Sequence, residues 1–120
     1  LLLDPTCADP LARRTVRVSM GEILHLPVAR ITNWPTGLVA LHQHGFTVAA
    51  LTPAPDAISI HALPHPARLA LVLGAEGPGL SDQALKAASV RVRIPIDPAV
   101  DSLNVGHAAA VALALLGPVR

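Results

Sequence analysis

Two polar clusters in this chain of 120 residues have the types and spacing to do chemistry. The first is the stretch 74–81, GAEGPGLS, in which three glycines surround the carboxylate of Glu76. The second lies in residues 101–105, DSLNV, and brings the hydroxyl of Ser102 and the amide of Asn104. Glycine lets a backbone approach a ligand closely, and a carboxylate inside a glycine turn has no packing role. Together the clusters can hold a polar small molecule and orient a hydroxyl substrate.

Simpler interpretations of both clusters remain open at this point. The glycines also suit a tight turn from a strand to a helix, and Ser102 or Asn104 also suits the N-cap of the last helix. Known nucleotide motifs do not fit the glycine stretch. A P-loop requires Lys before Ser or Thr where this chain has Leu80 and Ser81, and the glycine order G-x-x-G-x-G differs from the dinucleotide fingerprint.

The remaining reactive side chains give weaker signals. Arg13, Arg14 and Arg17 lie close together with no acid among them, which fits a solvated face or a phosphate contact. His107 begins the last helix, where it either supports the helix start or touches a ligand. A metal site from the remaining histidines is not expected, and an inert thiol is the default for Cys7, the single cysteine.

Prolines and glycines divide the chain into short elements that would position these groups. Apolar runs predict the end of a buried strand at residues 1–3, strands at 46–51, 69–73 and 90–94 or 90–96, and extended chain at 16–18. Helices are predicted at 33–45, 82–88 and 106–116, with Gly45 after the first and Ser81 as N-cap of the second. Residues 8–14 suggest a helical turn, and residues 53–67 suggest a loop with a short element at 57–60. The apolar residues of 21–31 follow neither the helical nor the strand periodicity.

Alternating strands and helices, with strands that are continuous apolar runs, predict an α/β fold with a parallel sheet covered by helices on both faces. Ligands of such sheets collect in the loops at the carboxyl ends of the strands. The loops after Leu51, Leu73 and Ile96 are therefore the expected site, and the last two contain both polar clusters.

Composition limits the class of protein. With 52% hydrophobic and 14% charged residues the chain is not disordered, and its longest apolar run, 108–116, is too short to span a bilayer. No signal peptide is visible, and one cysteine fits the reducing cytoplasm. The apolar excess in so short a chain predicts an oligomer.

The two clusters, in this order and spacing, resemble the SpoU/TrmH family of SPOUT RNA methyltransferases. Residues 71–81, LVLGAEGPGLS, are similar to the family's second motif. Residues 94–96, IPI, with 101–105, DSLNV, and the alanine-rich helix behind them are similar to the third. The resemblance implies one SPOUT domain over residues 1–120, with a deep trefoil α/β knot at its C-terminus, that forms homodimers. It also implies S-adenosylmethionine as cofactor and ribose 2′-O-methylation of tRNA or rRNA, without a metal.

The resemblance also implies roles for single positions. Glu76, Ser102 and Asn104 match polar active-site positions, with Ser102 and Asn104 orienting the substrate hydroxyl and Glu76 fixing the loop or a neighbouring cation. Cofactor contacts, made largely through backbone groups, are implied for Gly74, Ile94 and Leu103. Weaker candidates for the cofactor pocket are Thr52, Leu73, Gly79 and Ile96.

One departure from the family pattern leaves alternatives open. The family's first motif, an Asn-x-Gly stretch followed by an Arg, has no match here and is expected upstream of Leu1. We therefore expect an N-terminally truncated domain that binds cofactor but is catalytically weak or inactive alone. The alternative is a non-catalytic module that binds cofactor, dimerises and contacts RNA. A generic nucleotide binder is a third interpretation, which the glycine order disfavours.

Overall fold

The computed structural model describes residues 1–117, so residues 118–120 of the predicted domain lie outside the described part. The chain divides into two compact units, Leu1–Gly37 and a second that begins at Leu38. Within residues 1–117, no helix combines the length and the apolar character needed to cross a membrane.

The first unit contains a two-stranded parallel ladder and two short helical segments. Strand β1, Leu2–Leu3, pairs with β2, Ala29–Arg30, and between them lie helix α1, Arg13–Val18, and a 3-10 helix, Glu22–His25. The predicted strand at 1–3 is present, but it is not buried as expected, because a two-stranded ladder leaves Leu2 exposed.

The prediction of extended chain at residues 16–18 is wrong. These residues form the end of α1, which is held by hydrogen bonds from Val16 N to Ala12 O and from Ser19 N to Thr15 O. The valines favour a strand by propensity, but no neighbouring strand supplies a ladder for them, and local helical hydrogen bonds satisfy their backbone instead.

The second unit is built on a parallel sheet. Its strands within the described residues are β3, Thr47–Leu51; β4, Ile58–Ser59; β5, Leu69–Val72; and β6, Val90–Arg93. They lie in the order β4-β6-β3-β5, and every pairing is parallel. The flanking helices are α2, Thr36–Gln43, which belongs to this unit from Leu38 on; α3, Asp82–Ala87; and α4, Val105–Leu116. A 3-10 helix covers Ile60–Ala62. The predicted α/β class is therefore confirmed.

Both faces of the sheet carry fully buried side chains at its centre. Ala49 and Val92 lie in the core with Ala112 of α4, and Ile60 of the 3-10 helix completes that side. Side chains alternate along a strand, so Val48 faces the other way, and it too has no exposed surface. Strands buried on both faces explain why the sequence shows continuous apolar runs rather than alternation.

Two predicted helix boundaries are confirmed in atomic detail. The Ser81 hydroxyl accepts a hydrogen bond from Ala84 N and so caps α3. At the end of α2, Gly45 has φ +78°, Gly45 N donates to His42 O, and Phe46 N donates to Leu41 O. This pair of bonds is the Schellman pattern, which requires a left-handed residue at the glycine position.

Candidate active site

A single edge of the sheet carries the candidate site. Because β3, β5 and β6 are parallel neighbours, their carboxyl ends meet at this edge, and the loops that follow them enclose a cavity of about 370 Å³. The volume lies within the range of small-molecule pockets. All of its lining residues belong to the second unit.

The structure brings every residue predicted for the site to this cavity. They come from three separate stretches of chain: the end of β3, the glycine loop after β5, and the segment between β6 and α4. The ten predicted residues that line the cavity are Thr52, Leu73, Gly74, Glu76, Gly79, Ile94, Ile96, Ser102, Leu103 and Asn104.

Sequence reasoning missed several other lining residues. Leu51 and Pro53 flank the predicted Thr52, and Val105 and Ala108 form the first turn of α4. Val105 and Ala108 are three positions apart and share a helix face. Their place in the cavity lining could therefore have been predicted from the helix start expected beside the polar loop. The remaining ones, Ala75 and Gly77, lie inside the glycine loop.

The glycine loop is a tight, self-packed turn. An antiparallel bridge links Ala75 to Gly79, with a hydrogen bond of 3.0 Å from Gly79 N to Ala75 O. Gly77 and Gly79 have φ of +88° and +70°, which side chains rarely adopt. A Cβ at Gly74 would overlap the backbone of Gly79 and lie 2.5 Å from Leu80 N. Position 74 therefore needs glycine because a Cβ has no room, positions 77 and 79 favour glycine because of their positive φ, and the loop presents backbone to the cavity.

Asn104 links this loop to the last helix. Its Oδ1 accepts hydrogen bonds from Gly106 N at 2.9 Å and His107 N at 3.3 Å, which caps α4. Its Nδ2 donates to Glu76 Oε1 at 2.7 Å. The cap thus fixes the orientation of the amide, and the amide holds the carboxylate at the cavity wall. The capping interpretation of Asn104 is confirmed, together with a contact to Glu76 that spacing did not predict.

Other polar groups at the cavity have unused hydrogen-bonding capacity. Among residues 1–117, neither the Ser102 hydroxyl nor the main-chain groups of Ile96 and Leu103 have a hydrogen-bond partner. The three residues that carry these groups line the cavity. Unpaired donors and acceptors surrounded by aliphatic side chains are suited to recognise a flat polar ligand by its edge.

The charge of the cavity is simple. Among the described lining residues Glu76 is the one acidic residue, and no basic side chain accompanies it. A site without cations or a free helix terminus offers little to a polyphosphate. A carboxylate beside an apolar wall favours a ligand with an uncharged or positively charged body.

The weaker candidates lie elsewhere. His107 contributes its main-chain N–H to the Asn104 cap, and it does not line the cavity. Cys7 is exposed, and in the described part of the chain no group of three His, Cys, Asp or Glu side chains could hold a metal ion. Arg13, Arg14 and Arg17 are exposed on α1 in the first unit.

Comparison with known proteins identifies the family to which this chain belongs. The model of the SpoU rRNA methylase family matches residues 1–114. The chain belongs to the SpoU rRNA methylase family. The two motifs on which the resemblance rested are the glycine loop and the segment before α4, which are the two polar walls of the cavity.

Individual SpoU family relatives show the extent of the likeness. A protein of Mycobacterium tuberculosis named as a tRNA/rRNA methyltransferase is 53% identical over 110 residues, which cover 88% of this chain and 38% of that protein. A Staphylococcus aureus protein named as a TrmH family tRNA/rRNA methyltransferase is 35% identical over 101 residues, covering 84% of this chain and 40% of its own length.

Solved structures of the family share the fold. An AdoMet-bound rRNA methyltransferase from Sinorhizobium meliloti has a TM-score of 0.85 at 25% identity, over 96% of this chain and 44% of its own. A structure described as an RNA 2′-O ribose methyltransferase has a TM-score of 0.81 at 29% identity, over 96% of this chain and 43% of its own. The chain thus spans about two fifths of the length of each of these four proteins.

Proposed function

We propose that this chain is the cofactor-binding domain of an S-adenosylmethionine-dependent RNA methyltransferase that methylates ribose 2′-hydroxyls. The observation that carries the proposal is the convergence of ten residues from three separate stretches on one cavity at the carboxyl edge of the sheet. Loops at this edge are where α/β proteins bind ligands. The whole domain, from residue 1 onward, is proposed as one functional unit of the SPOUT type.

The residues of the cavity fit S-adenosylmethionine. Leu73, Ile94 and Ile96 provide an apolar surface for the adenosyl group, and the unpaired main-chain groups of Leu103 can hydrogen bond to its polar edge. The Glu76 carboxylate is favourable for a cation and unfavourable for a phosphate. The absence of basic side chains among the described lining residues therefore supports a sulfonium cofactor over a dinucleotide.

The polar wall would orient the substrate. When bound, the cofactor supplies an electrophilic methyl group. Ser102, whose hydroxyl is free of partners within residues 1–117, and the second amide hydrogen of Asn104 would position the attacking ribose oxygen. Glu76 holds Asn104 in place for this task. Such positioning lowers the barrier because it removes the entropic cost of bringing two reactants into line.

The names of the relatives support RNA as the substrate. The M. tuberculosis and S. aureus proteins are named as tRNA/rRNA methyltransferases, and one solved neighbour as an RNA 2′-O ribose methyltransferase. The relatives' names leave open tRNA or rRNA, and we propose methylation of one of the two in the cytoplasm.

We further propose that the domain is a knotted homodimer, as the family resemblance implies. Helix α4 carries no charged residue from Ala108 to Leu116, and Leu113 is 62% exposed beside the buried Ala112. An exposed leucine on an otherwise apolar helix supports packing against a second copy. The trefoil path of the C-terminal segment would be tested by an experimental trace of the chain.

A calorimetric titration of S-adenosylhomocysteine into the protein tests the cofactor site, with the dimer state measured on the same sample. We expect saturable binding with one site per chain and no competition by nicotinamide nucleotides. Ser102→Ala is the informative variant, because Ser102 is exposed and its hydroxyl has no partner within residues 1–117. Cofactor binding should persist while methyl transfer to RNA falls. Absence of cofactor binding by the folded wild type would contradict the proposal.

The alternative function is a non-catalytic module that binds cofactor and RNA. It predicts the same titration but no methyl transfer by the intact protein to any tRNA or rRNA. Transfer of tritiated methyl groups to total RNA that lacks this modification separates the two. If the wild type transfers methyl groups and the Ser102→Ala variant transfers them equally well, the role assigned to Ser102 is excluded.

A further inference from the structure

Helix α1 carries a cluster of three arginines that the proposed cofactor site does not use. Arg13 and Arg17 are four positions apart and Arg14 and Arg17 three, so the side chains share one helix face. With Val18 they line a shallow surface depression of about 580 Å³. All three are exposed. A third of the chain's nine basic residues thus fall in one stretch of five.

Local structure does not account for this cluster. Arg13 and Arg14 are the first two residues of α1, where the helix dipole favours acids, and the first turn contains none. Only Arg17, in the last turn, is favourably placed with respect to the dipole. Like charges at this spacing repel each other. The mutual repulsion of these arginines therefore lowers the stability of α1, and no acidic side chain in the helix compensates for it.

The guanidinium groups have no partner in the described protein. Among residues 1–117 the recorded salt bridge joins Arg91 to Asp56, and no side-chain hydrogen bond involves Arg13, Arg14 or Arg17. By contrast, Arg30 in the same unit donates to the carbonyl oxygens of Asp4 and Cys7 at 3.0 and 2.9 Å. The unit thus uses one arginine as a structural donor and leaves three available for an external anion.

We infer that the arginine cluster Arg13, Arg14 and Arg17 binds the phosphodiester backbone of the RNA substrate. This inference rests on the proposed function, because it takes RNA as the partner. Guanidinium groups match phosphate oxygens in paired hydrogen bonds. A shallow open surface with three separate cations suits consecutive phosphates of a strand, and it does not enclose a single nucleotide.

The chemistry of the cluster also predicts the type of RNA contact. Among the described residues, the depression is lined by the three arginines and Val18. None of these residues is aromatic, so the surface has no stacking platform for bases. Phosphate contacts position a nucleic acid without reading its sequence. The cluster should therefore contribute affinity and salt dependence equally for RNAs of different sequence.

Fluorescence anisotropy with a labelled 20-nucleotide poly(U) tests this inference on the full chain. The test variant replaces all three arginines by glutamine, and Lys86→Gln, an exposed cation on α3, is the matched control. We expect the triple variant to bind about tenfold more weakly at low salt. Its plot of log affinity against log salt should be shallower by roughly two, since each phosphate contact on a single strand contributes about 0.7. Lys86→Gln should retain the wild-type slope.

The triple Arg→Lys variant separates charge from hydrogen-bond geometry and should restore most of the slope. An unchanged slope in the triple glutamine variant, or no binding of poly(U) by the wild type, would overturn the inference. Binding to vesicles of anionic phospholipid is measured in parallel. If the triple glutamine variant lost binding to the vesicles but not to poly(U), the cluster would be a membrane contact and the inference would be overturned. Titration of S-adenosylhomocysteine into the same samples tests the proposed function separately, since cofactor binding should be equal in wild type and variants.

Discussion

The side chains of Glu76 and Asn104 lie 28 positions apart in the sequence and are joined by a hydrogen bond of 2.7 Å. The bond connects the glycine loop after β5 to the first turn of α4. Because Asn104 Oδ1 is occupied by two main-chain N–H groups of the helix, the Nδ2 group necessarily points to the loop. A residue chosen as a helix cap thereby also sets the position of the one carboxylate in the described cavity lining.

Replacement of Asn104 by alanine or serine separates its two roles. Asn104→Ala removes both the cap and the amide, and should lower the free energy of unfolding by about 1 kcal/mol. Asn104→Ser retains a cap acceptor but loses the donor to Glu76, so stability should stay near the wild type. Its affinity for S-adenosylhomocysteine should fall roughly fivefold, the effect of one lost hydrogen bond. Urea unfolding and calorimetry measure the two quantities.

The control for this pair is Ser81→Ala, which removes the cap of α3 outside the lining of the cavity. It should cost a similar free energy of unfolding without changing cofactor affinity. If Asn104→Ser bound S-adenosylhomocysteine as tightly as wild type, the link between loop and helix would have no bearing on the site.

Gly74 should be the least replaceable glycine of the loop. In Gly74→Ala the new Cβ overlaps the backbone around Gly79 and Leu80, so the loop must shift. We expect at least tenfold weaker binding of S-adenosylhomocysteine and a loss of stability of about 1–3 kcal/mol, typical of overpacking. Gly77→Asn is the matched control, because position 77 has open space and asparagine tolerates positive φ. Equal affinities of the two variants would show that the loop's close packing is unimportant for binding.

Leu113→Glu should convert the proposed dimer to a monomer. The side chain of Leu113 is 62% exposed on α4, so the change introduces no charge into the core of the single chain. A charge buried without a partner at an interface strongly disfavours association. Sedimentation equilibrium of wild type and variant measures the effect, and Val39→Glu, at an exposed position of α2, should leave the mass unchanged. A monomeric wild type would contradict the prediction.

The Asp4 carboxylate should titrate below its ordinary value. The hydrogen bond of 2.7 Å from Thr6 Oγ1 is the largest cause that lowers the pKa of Asp4. Burial opposes it, and weaker hydrogen bonds from Thr6 N and Cys7 N lower the pKa further, so that the net shift is downward. Because the folded pKa is lowered, this carboxylate favours the folded state above pH 3.8, and that contribution is lost as pH falls through the lowered value. Thr6→Val should move the pKa of Asp4 back towards 3.8, as followed by carbon-13 NMR of the carboxyl group.

The places where sequence prediction succeeded and failed differ in a physical way. Ser81 and Gly45 were placed correctly because a cap and a left-handed residue act within one turn of their own helix. The valines at 16 and 18 were assigned to extended chain because their propensity favours strands. That preference is expressed only beside a partner strand, and the first unit provides none for them.

The sequence by itself determined the α/β class, the parallel sheet and the residues at the carboxyl ends of β3, β5 and β6, because apolar runs and turn residues act locally. Once those strands are parallel neighbours, their following loops must meet, which is why all ten predicted residues line one cavity. Only the tertiary structure decided the partners within that site. The bond from Asn104 to Glu76, and the absence of a partner for Ser102 in the described part of the chain, depend on how α4 approaches the glycine loop. Local sequence patterns do not report distances between residues far apart in the chain.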